Sequence, residues 1–213
     1  MIGILCGLAS EAAAVRNLPD AKIAVSCADP RIGRRLVHEL IQQGSTRLLS
    51  FGLAGGLAPE LPVGALVIGT EVQTEQRLSQ ADTAWCNQLK HNLPRAETGK
   101  VWGSESMVVT PSAKAELYLR TQCMIADMES QIVAEAAAAA GLPFAILRAV
   151  IDTADMGLPP AALTSLASQG KPKLGLILLS LAQRPSQLPE LLRLGRNNQL
   201  ALAALRQATT ALA

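Results

Sequence analysis

Three carboxylates follow strand-like runs of the sequence and are candidates for acid–base catalysis. Glu11 lies in GLASEA after the first apolar run, Glu129 lies in ADMES, and Asp152 ends the apolar run of LRAVIDTAD. Ligands of an open α/β sheet bind at the carboxyl ends of its strands, so side chains that directly follow strand-like runs are expected at one rim. Carboxylates that converge there divide the roles of acid and base in bond cleavage. Taken singly, Glu11 also fits an ordinary carboxylate of a first helical turn, and Asp152 fits a loop cap.

A glycine-rich stretch, GLAGG from Gly52 to Gly56, follows another strand-like run. Glycine lets the backbone approach a ligand closely and present bare N–H groups to phosphate or sugar oxygens. The spacing is neither that of a dinucleotide-binding loop nor that of a Walker loop. We predict a loop in which Gly52, Ala54 and Gly55 line the pocket of the nucleophile. A tight turn out of a buried strand fits the stretch equally well.

The elements that must carry these residues alternate between strand and helix. Short apolar runs predict strands, and helix-favouring runs that end at glycine predict helices. The first part of the chain reads as strand Ile2–Cys6, helix Glu11–Asn17, strand Lys22–Cys27, helix Ile32–Gln43 ended by Gly44, and strand Arg47–Phe51. Such alternation predicts parallel strands that are joined by helical crossovers.

The rest of the chain repeats the alternation. It reads as strands Leu66–Val72 and Gly99–Val109 around a polar helical segment with Trp85, then strand Met124–Met128, helix Gln131–Ala140 closed by Gly141, strand Phe144–Ile151, a helix near Leu174–Ala182, and a long helix from about Glu190 after Pro185 and Pro189. We predict an α/β fold, a single three-layer domain over residues 1–213 with a central mixed sheet flanked by helices. Residues 185–213 are expected to form a C-terminal helical extension of that domain.

Composition excludes several classes of protein. The 213 residues are 49% hydrophobic but only 2% aromatic, and the net charge of +2 comes from interspersed groups, which argues against a nucleic-acid surface. The four cysteines lie far apart without a CxxC pair, and neither His38 nor His91 has neighbours at ligand spacing, so no metal site is expected. The sequence has neither a basic leader nor an apolar stretch of about 18 residues, so we expect a cytoplasmic protein.

Four segments together resemble the purine nucleoside phosphorylase and nucleosidase superfamily. They are GILCGLASEA, FGLAGGLAPELPVGALVI, ADMES and LPFAILRAVIDTAD, in the order and spacing of that superfamily. The tail, from LPPAAL through GKPKLGLILLSLAQRPSQLPELLRL, is similar to the hopanoid-associated phosphorylase family, which removes adenine from adenosylhopane. The resemblance spans nearly the whole chain. It implies a nucleoside phosphorylase-like fold and cleavage of a purine N-glycosidic bond by phosphorolysis or hydrolysis.

The resemblance implies a role for each carboxylate. Glu11 matches the residue that activates the attacking water, Glu129 the one that holds the ribose hydroxyls, and Asp152 the one that protonates the base. The chemistry agrees with these roles, because departing adenine becomes anionic unless N7 is protonated, while the ribose becomes oxocarbenium-like and is stabilised by a nearby carboxylate. Asp152 must therefore carry a proton at some stage.

Four further residues are expected around the substrate by the same resemblance. Met128 would pack against the sugar, Met107 and Val108 would line the pocket of the base, and Arg148 would pair with a carboxylate near the site. Ordinary core positions on a strand also fit the two methionines and the valine. A structural salt bridge fits Arg148 equally well.

The phosphate site of the superfamily's phosphorylases has no clear counterpart. Ser50 and Leu53 stand at the matching places, where an arginine and a serine would hold phosphate, so the nucleophile is left open between phosphate and water. Arg31, at a predicted helix start, is the candidate for a phosphate contact because a helix N-terminus favours anions; a solvated face is the alternative. Ile151 stands where related enzymes place a serine that holds the aspartate, so another group must orient Asp152. Inorganic phosphate is an optional co-substrate, and no metal or organic cofactor is implied.

We predict an enzyme that releases adenine from adenosylhopane in hopanoid lipid biosynthesis. Two alternatives are kept: a nucleosidase acting on methylthioadenosine, adenosylhomocysteine or futalosine, and a non-catalytic nucleoside-binding protein. The expected partners are a free or lipid-linked nucleoside and a second copy of the chain in a dimer, with no nucleic acid. Peripheral contact with the inner face of a membrane, through Arg193, Arg196, Arg206 and the leucines around them, is a further hypothesis.

Overall fold

The strands and helices follow the predicted alternation. The computed structural model describes residues 1–159 and 188–212. Its strands are β1 (Ile2–Cys6), β2 (Ala21–Val25), β3 (Arg47–Gly56), β4 (Leu66–Gln73), β5 (Leu78–Gln80), β6 (Glu97–Gly103), β7 (Ile125–Asp127) and β8 (Phe144–Asp152). Its helices are α1 (Ala9–Val15), α2 (Pro30–Gln42), α3 (Thr83–Asn92), α4 (Pro111–Thr121), α5 (Ser130–Ala140) and α6 (Leu188–Ala208), and a short 3-10 turn, Thr209–Ala211, follows α6.

Five of the strands close on one another. β3 pairs with β8 in parallel, β8 with β4 antiparallel, β4 with β6 in parallel and β6 with β7 in parallel, and β7 returns to β3 at Gly55 and Gly56. β1 and β2 continue the sheet in parallel beyond β3, and β5 adds to β4 in antiparallel fashion. The described strands thus form one mixed sheet that curls into a ring, and the prediction of an α/β fold with a mixed sheet is confirmed. The parallel strands β1, β3 and β8 bring their carboxyl ends to one rim.

Helices cover the sheet on both sides. α2 and α5 pack on each other and against β1 and β3, while α6 packs along β8 and against α1. The aliphatic side chains between these layers, such as Ile4, Leu49 and Ile146, are fully buried. This core of branched aliphatic residues suits the close helix-on-sheet packing that a chain poor in aromatic residues requires.

The GLAGG stretch differs from its prediction. It is not a loop but the last part of β3, because Gly55 and Gly56 continue the strand by pairing with β7, and Gly55 also pairs with Asp152 of β8 after a register shift. The prediction failed because glycines usually mark turns, whereas here they admit the close approach of neighbouring groups.

The segment after β6 also differs from its prediction. The strand predicted over Gly99–Val109 ends at Gly103, and residues 104–109 leave the sheet. β5 and α4 were not predicted, although the Thr110 side chain caps the amide of Ala113 and Pro111 opens the helix, both of which are start signals.

The tail helix begins close to its predicted start. α6 opens at Leu188, and Pro189 stands in its first turn, where the missing N–H of proline has no helical partner to lose. The helix predicted near Leu174–Ala182 and the breaker Pro185 lie outside the described residues. In the ranges 1–159 and 188–212, no helix combines the length and the apolar character that crossing a bilayer requires.

Candidate active site

A cavity of about 610 Å³ opens at the rim where β1, β3 and β8 end. Small-molecule sites have volumes of roughly 300–1,000 Å³, so this cavity is large enough for a nucleoside. Carboxylates line it together with apolar side chains from β3, residues 104–109, Leu158 and α6. The cavity is therefore suited to a ligand with one polar and one apolar part.

Backbone amides hold Glu11 in the first turn of α1. Its Oε2 accepts N–H bonds from Gly7 at 2.7 Å and Leu8 at 2.8 Å, and its Oε1 accepts one from Leu53 at 2.9 Å. Burial raises the pKa of Glu11 from its usual 4.5 to about 7, with a further rise from the charge of Glu129, while Arg148 and the amides oppose the rise. A carboxyl that titrates near neutrality can serve as a general base.

Two glycines make room for the carboxylates. A Cβ at Gly52 would lie 2.6 Å from Oε2 of Glu11 and 2.7 Å from Nη1 of Arg148, and a Cβ at Gly7 would lie 2.9 Å from Oε1 of Glu129. Any side chain at these positions would displace a charged group. These two glycines thus leave space for the charged side chains of the site itself.

Arg148 pairs with two carboxylates beneath the cavity and lowers the pKa of a third, Glu11. Its guanidinium is fully buried, with Nε 2.7 Å from Oδ2 of Asp127 and Nη1 3.4 Å from Oε2 of Glu129. Nη2 donates to Oγ of Ser50 at 2.6 Å. We call Glu11, Asp127, Glu129 and Arg148 the acidic cluster, because it holds three acids and one base.

Glu129 is placed by the start of α5. It occupies the N-cap position but makes no cap bond there; Asp127 accepts the amide of Ser130 instead, at 2.8 Å. Oε1 of Glu129 accepts the hydroxyl of Ser26 at 3.0 Å, and the residue lines the cavity. Burial raises the pKa of Glu129, the charge of Asp127 adds to the rise, and Arg148 and the Ser26 hydroxyl oppose it.

Asp152, at the end of β8, is paired with a buried lysine. Nζ of Lys114 donates to Oδ2 of Asp152, to the carbonyl of Thr153 at 2.8 Å and to the carbonyl of Met156 at 3.0 Å. The lysine side chain is fully buried and the aspartate side chain nearly so. Burial raises the pKa of Asp152, and the Lys114 ammonium works against that rise. We call these two residues the Lys–Asp pair.

The cavity brings most of the predicted site residues together. The ones that line it are Glu11, Ala54, Gly55, Met107, Val108, Met128, Glu129 and Asp152. Met107 and Val108 lie on the loop after β6 rather than on a strand, so they are not strand residues of the core. The roles assigned to these residues remain predictions.

Three predicted residues do not line the cavity. Gly52 is buried behind Glu11. Arg148 lies under the carboxylates and pairs with Asp127 and Glu129, which agrees with the expectation that it pairs with a carboxylate near the site. Arg31 lies away from the cavity and matches the alternative of a solvated face: its side chain is 92% exposed, with Nε 3.6 Å from Asp29. The Asp29 carboxylate already caps α2 by accepting the amide of Arg31, so that helix start has its own anion.

Sequence reasoning missed the residues that support the carboxylates. Lys114 lies in the unpredicted helix α4, and nothing in its local sequence marks it as buried. Asp127 is part of the ADMES motif, two residues before Glu129, and Ser26 lies near the end of the strand-like run before Asp29. Among the described residues, no group of three or more His, Cys, Asp or Glu side chains is arranged to hold a metal ion.

Carboxylates at the rim of parallel strands, around a cavity large enough for a nucleoside, form a site that can catalyse acid–base bond cleavage. The family model of the phosphorylase superfamily matches residues 27–181, and the chain belongs to that superfamily. It is thus an enzyme of the nucleoside phosphorylase and nucleosidase superfamily. No protein of curated function matches the sequence.

Solved structures share the fold at low identity. The adenosylhomocysteine nucleosidase of Streptococcus pyogenes, in complex with 5-methylthiotubericidin, has a TM-score of 0.68 at 18% identity, over 85% of this chain and 95% of its own. Futalosine hydrolase of Helicobacter pylori gives 0.68 at 16%, over 85% and 97% of the two chains. The methylthioadenosine/adenosylhomocysteine nucleosidase of Neisseria meningitidis, in complex with methylthio-immucillin-A, gives 0.68 at 17%, over 97% and 98%. At these identities the likeness shows a common fold.

Proposed function

We propose that this chain hydrolyses the N-glycosidic bond of an adenine nucleoside with an apolar 5′ substituent, and that adenosylhopane is its substrate. The observation that carries the proposal is the mixed lining of the cavity. Carboxylates from β1–α1, β7–α5 and β8 line it together with leucines that include Leu158, Leu191 and Leu194. A polar ribosyl purine and an apolar tail would each find a matching wall.

The proposed reaction uses each carboxylate once. The bond between C1′ and N9 breaks, and Asp152 gives its proton to N7 of the leaving adenine. Glu11 takes a proton from water while the water oxygen forms a bond to C1′, and Glu129 accepts hydrogen bonds from the ribose hydroxyls. The negative acidic cluster would stabilise the positive charge that develops on the ribose.

Water is the nucleophile that the charges favour. Among the described residues no arginine lines the cavity, and the one lysine there, Lys114, is occupied by Asp152 and two carbonyls. The amide of Leu53, a backbone donor of the glycine-rich stretch beside the cavity, is bound to Glu11. A phosphate ion would also face two carboxylates in a buried setting, where like charges repel strongly.

The 5′ side would open toward α6. Leu191 and Leu194 of this helix face the cavity, whereas Leu188, Leu192 and Leu200 are 48%, 66% and 51% exposed. Arg193, Arg196 and Arg206 on the same helix are also exposed. Apolar and basic groups together suit the surface of a membrane, from which a lipid-linked nucleoside could enter the cavity.

A second candidate is a nucleosidase for small substrates such as methylthioadenosine. It is supported by the shared fold with nucleosidases that are named for methylthioadenosine and adenosylhomocysteine. A methylthio group is also apolar, so the same leucines would accept it. The two candidates differ in how far the apolar wall must extend.

Adenine release separates these candidates. The purified chain is incubated with detergent-solubilised adenosylhopane and with methylthioadenosine, each with and without inorganic phosphate, and adenine is quantified by chromatography. We expect release from adenosylhopane without phosphate. Preference for methylthioadenosine would move the chain to the second candidate, an absolute need for phosphate would replace water, and no release from either would favour a binding protein.

Two leucines of α6 provide a matched pair for the 5′ side. We expect Leu194→Ser to raise KM for adenosylhopane more than KM for methylthioadenosine, because Leu194 lines the cavity. Leu192→Ser, two residues away and exposed, is the control and should change neither value in detergent. Equal effects of the two substitutions would remove the proposed contact with the apolar tail.

A further inference from the structure

We propose that Lys114 is a positioning residue for Asp152: it fixes one carboxyl oxygen and stabilises the carboxylate that remains after Asp152 has given its proton to the base. The inference rests on the proposed function, because it concerns the acid of that reaction. It assigns a use to a buried cation that the superfamily resemblance leaves without one.

The geometry leaves Lys114 no other task. Its side chain is fully buried, and its ammonium donates to three acceptors, Oδ2 of Asp152 and the carbonyls of Thr153 and Met156. An ammonium has three N–H donors, so all of them are used. All three acceptors lie on β8 or in the turn that follows it, so the lysine ties this single segment to α4.

Helix chemistry does not explain a lysine at this place. Lys114 is the fourth residue of α4, whose N-terminal end carries a partial positive charge that disfavours a cation. Burying an ammonium is also unfavourable unless it is paired and hydrogen-bonded. Both effects oppose the placement, and the contact with Asp152 compensates for them.

No other side chain among the described residues donates a hydrogen bond to Asp152. Ile151 precedes it and has no polar group. Anchoring Oδ2 therefore decides how the carboxyl is turned. With Oδ2 held on the α4 side, Oδ1 is left to meet N7 of adenine in the cavity.

The charge of Lys114 also acts on the proton transfer. When the C1′–N9 bond breaks, the proton of Asp152 moves to N7, and the buried carboxylate that is left faces the ammonium. Burial raises the pKa of Asp152, and Lys114 is the one charged residue in the described part of the chain that shifts it, toward a lower value. The pKa of Asp155, in the turn after β8, is lowered chiefly by the hydroxyl of Thr153, and the charges of Arg193 and Lys114 lower it further. Glu11 and Glu129 line the same cavity but do not shift the pKa of Asp152.

The test is the pH profile of Lys114→Met. Asp152 must be protonated to act, so activity falls at the alkaline end as it ionises. Loss of the ammonium should move that alkaline limb of kcat/KM upward by roughly 1–3 pH units, the usual effect of an opposite charge. It should also lower kcat more than it changes KM, because the weaker, less oriented acid affects the chemical step. Lys114→Arg, which keeps the charge, should leave the alkaline limb near its wild-type position.

Lys90→Met is the matched control. Lys90 also donates to two carbonyls, those of Pro94 and Ala96, but it lies on α3 and does not line the cavity. We expect its pH profile to equal that of the wild type. An alkaline limb that stays in place in folded Lys114→Met would overturn the proposal and leave Lys114 with a purely structural role.

A second measurement does not depend on turnover. In protein labelled with ¹³C at its carboxyl groups, the Asp152 signal is identified by its absence from Asp152→Asn, and its titration midpoint should be higher in Lys114→Met. Lys114→Gln, whose amide can still donate to the carbonyls, takes the place of the methionine variant if that one does not fold. If the wild type releases no adenine, the proposed function fails. The NMR midpoints then still decide whether Lys114 controls the titration of Asp152. Equal midpoints in the wild type and the variant would refute that control.

Discussion

The acidic cluster and the Lys–Asp pair lie on the same cavity but differ in charge balance. The acidic cluster holds three carboxylates around one guanidinium, whereas the Lys–Asp pair holds one carboxylate against one ammonium. In the first, burial and mutual repulsion of the acids raise the pKa values of Glu11 and Glu129. In the second, burial raises the pKa of Asp152 and a cation limits the rise.

This difference matches the two halves of a glycosidic bond. The ribosyl half becomes positive as the bond breaks, so an excess of carboxylate near it is favourable only in the transition state. The base half becomes negative and needs a proton, which a balanced pair can release without leaving an isolated buried charge. One cavity thus combines a cluster with an excess of carboxylates and a pair whose charges balance.

The largest expected effect on the acidic cluster comes from removing its arginine. Arg148→Met leaves Asp127 and Glu129 buried without their cation, and removing one partner of a buried ion pair destabilises a protein by about 3–5 kcal/mol. The loss should be greater at pH 8 than at pH 5, because unpaired buried carboxyls take up protons at low pH and so lose their charge. Urea unfolding at the two pH values measures it.

The control for this substitution is Arg35→Met. Arg35 pairs with Glu39 on the exposed face of α2, and such surface pairs contribute little to stability. Its unfolding midpoint should not move. A midpoint of Arg148→Met equally close to the wild type would mean that the acidic cluster does not depend on its arginine.

The role of the Lys–Asp pair is tested by replacing its acid, Asp152. Asp152→Asn should lower kcat by roughly 10²–10⁴-fold, the usual contribution of a general acid. Binding of the nucleoside should persist, because the amide oxygen of Asn can still accept from Lys114. Steady-state kinetics gives the first quantity and calorimetric titration the second. Asp155→Asn, an exposed neighbour outside the cavity, is the control, and unchanged turnover in Asp152→Asn would remove Asp152 as the acid.

The rule that ligands bind at the carboxyl ends of strands located the carboxylates, but it did not find the residues that hold them. Glu11 and Asp152 could be placed at one rim because β1 and β8 are short apolar runs whose ends are clear in the sequence. Glu129 followed from its position after β7. The rule that ligands lie at carboxyl ends depends only on the order of elements, which the alternation of patterns reveals.

The supporting residues depend on tertiary contacts that no local pattern encodes. Lys114 reaches Asp152 across 38 positions of sequence, and Arg148 reaches Ser50 across 98. Polar residues within a helix or a strand usually face solvent, so the sequence alone assigns Lys114 to a surface. Arg31 shows the opposite case: a helix start predicts an anion site, but the Asp29 side chain already occupies it.

The finest test concerns the coupling within the acidic cluster. If Glu11 is the base, it must be ionised, so kcat/KM should fall by about tenfold per pH unit below its pKa of about 7. The charge of Glu129 raises that pKa, so Glu129→Gln should move the acidic limb to lower pH while the alkaline limb stays with the Lys–Asp pair. Glu135→Gln, on the same helix but half exposed and paired with Arg34, should move neither limb. If Glu129→Gln shifts both limbs together, the two regions are one electrostatic unit, and the division of the cavity into two independent environments is wrong.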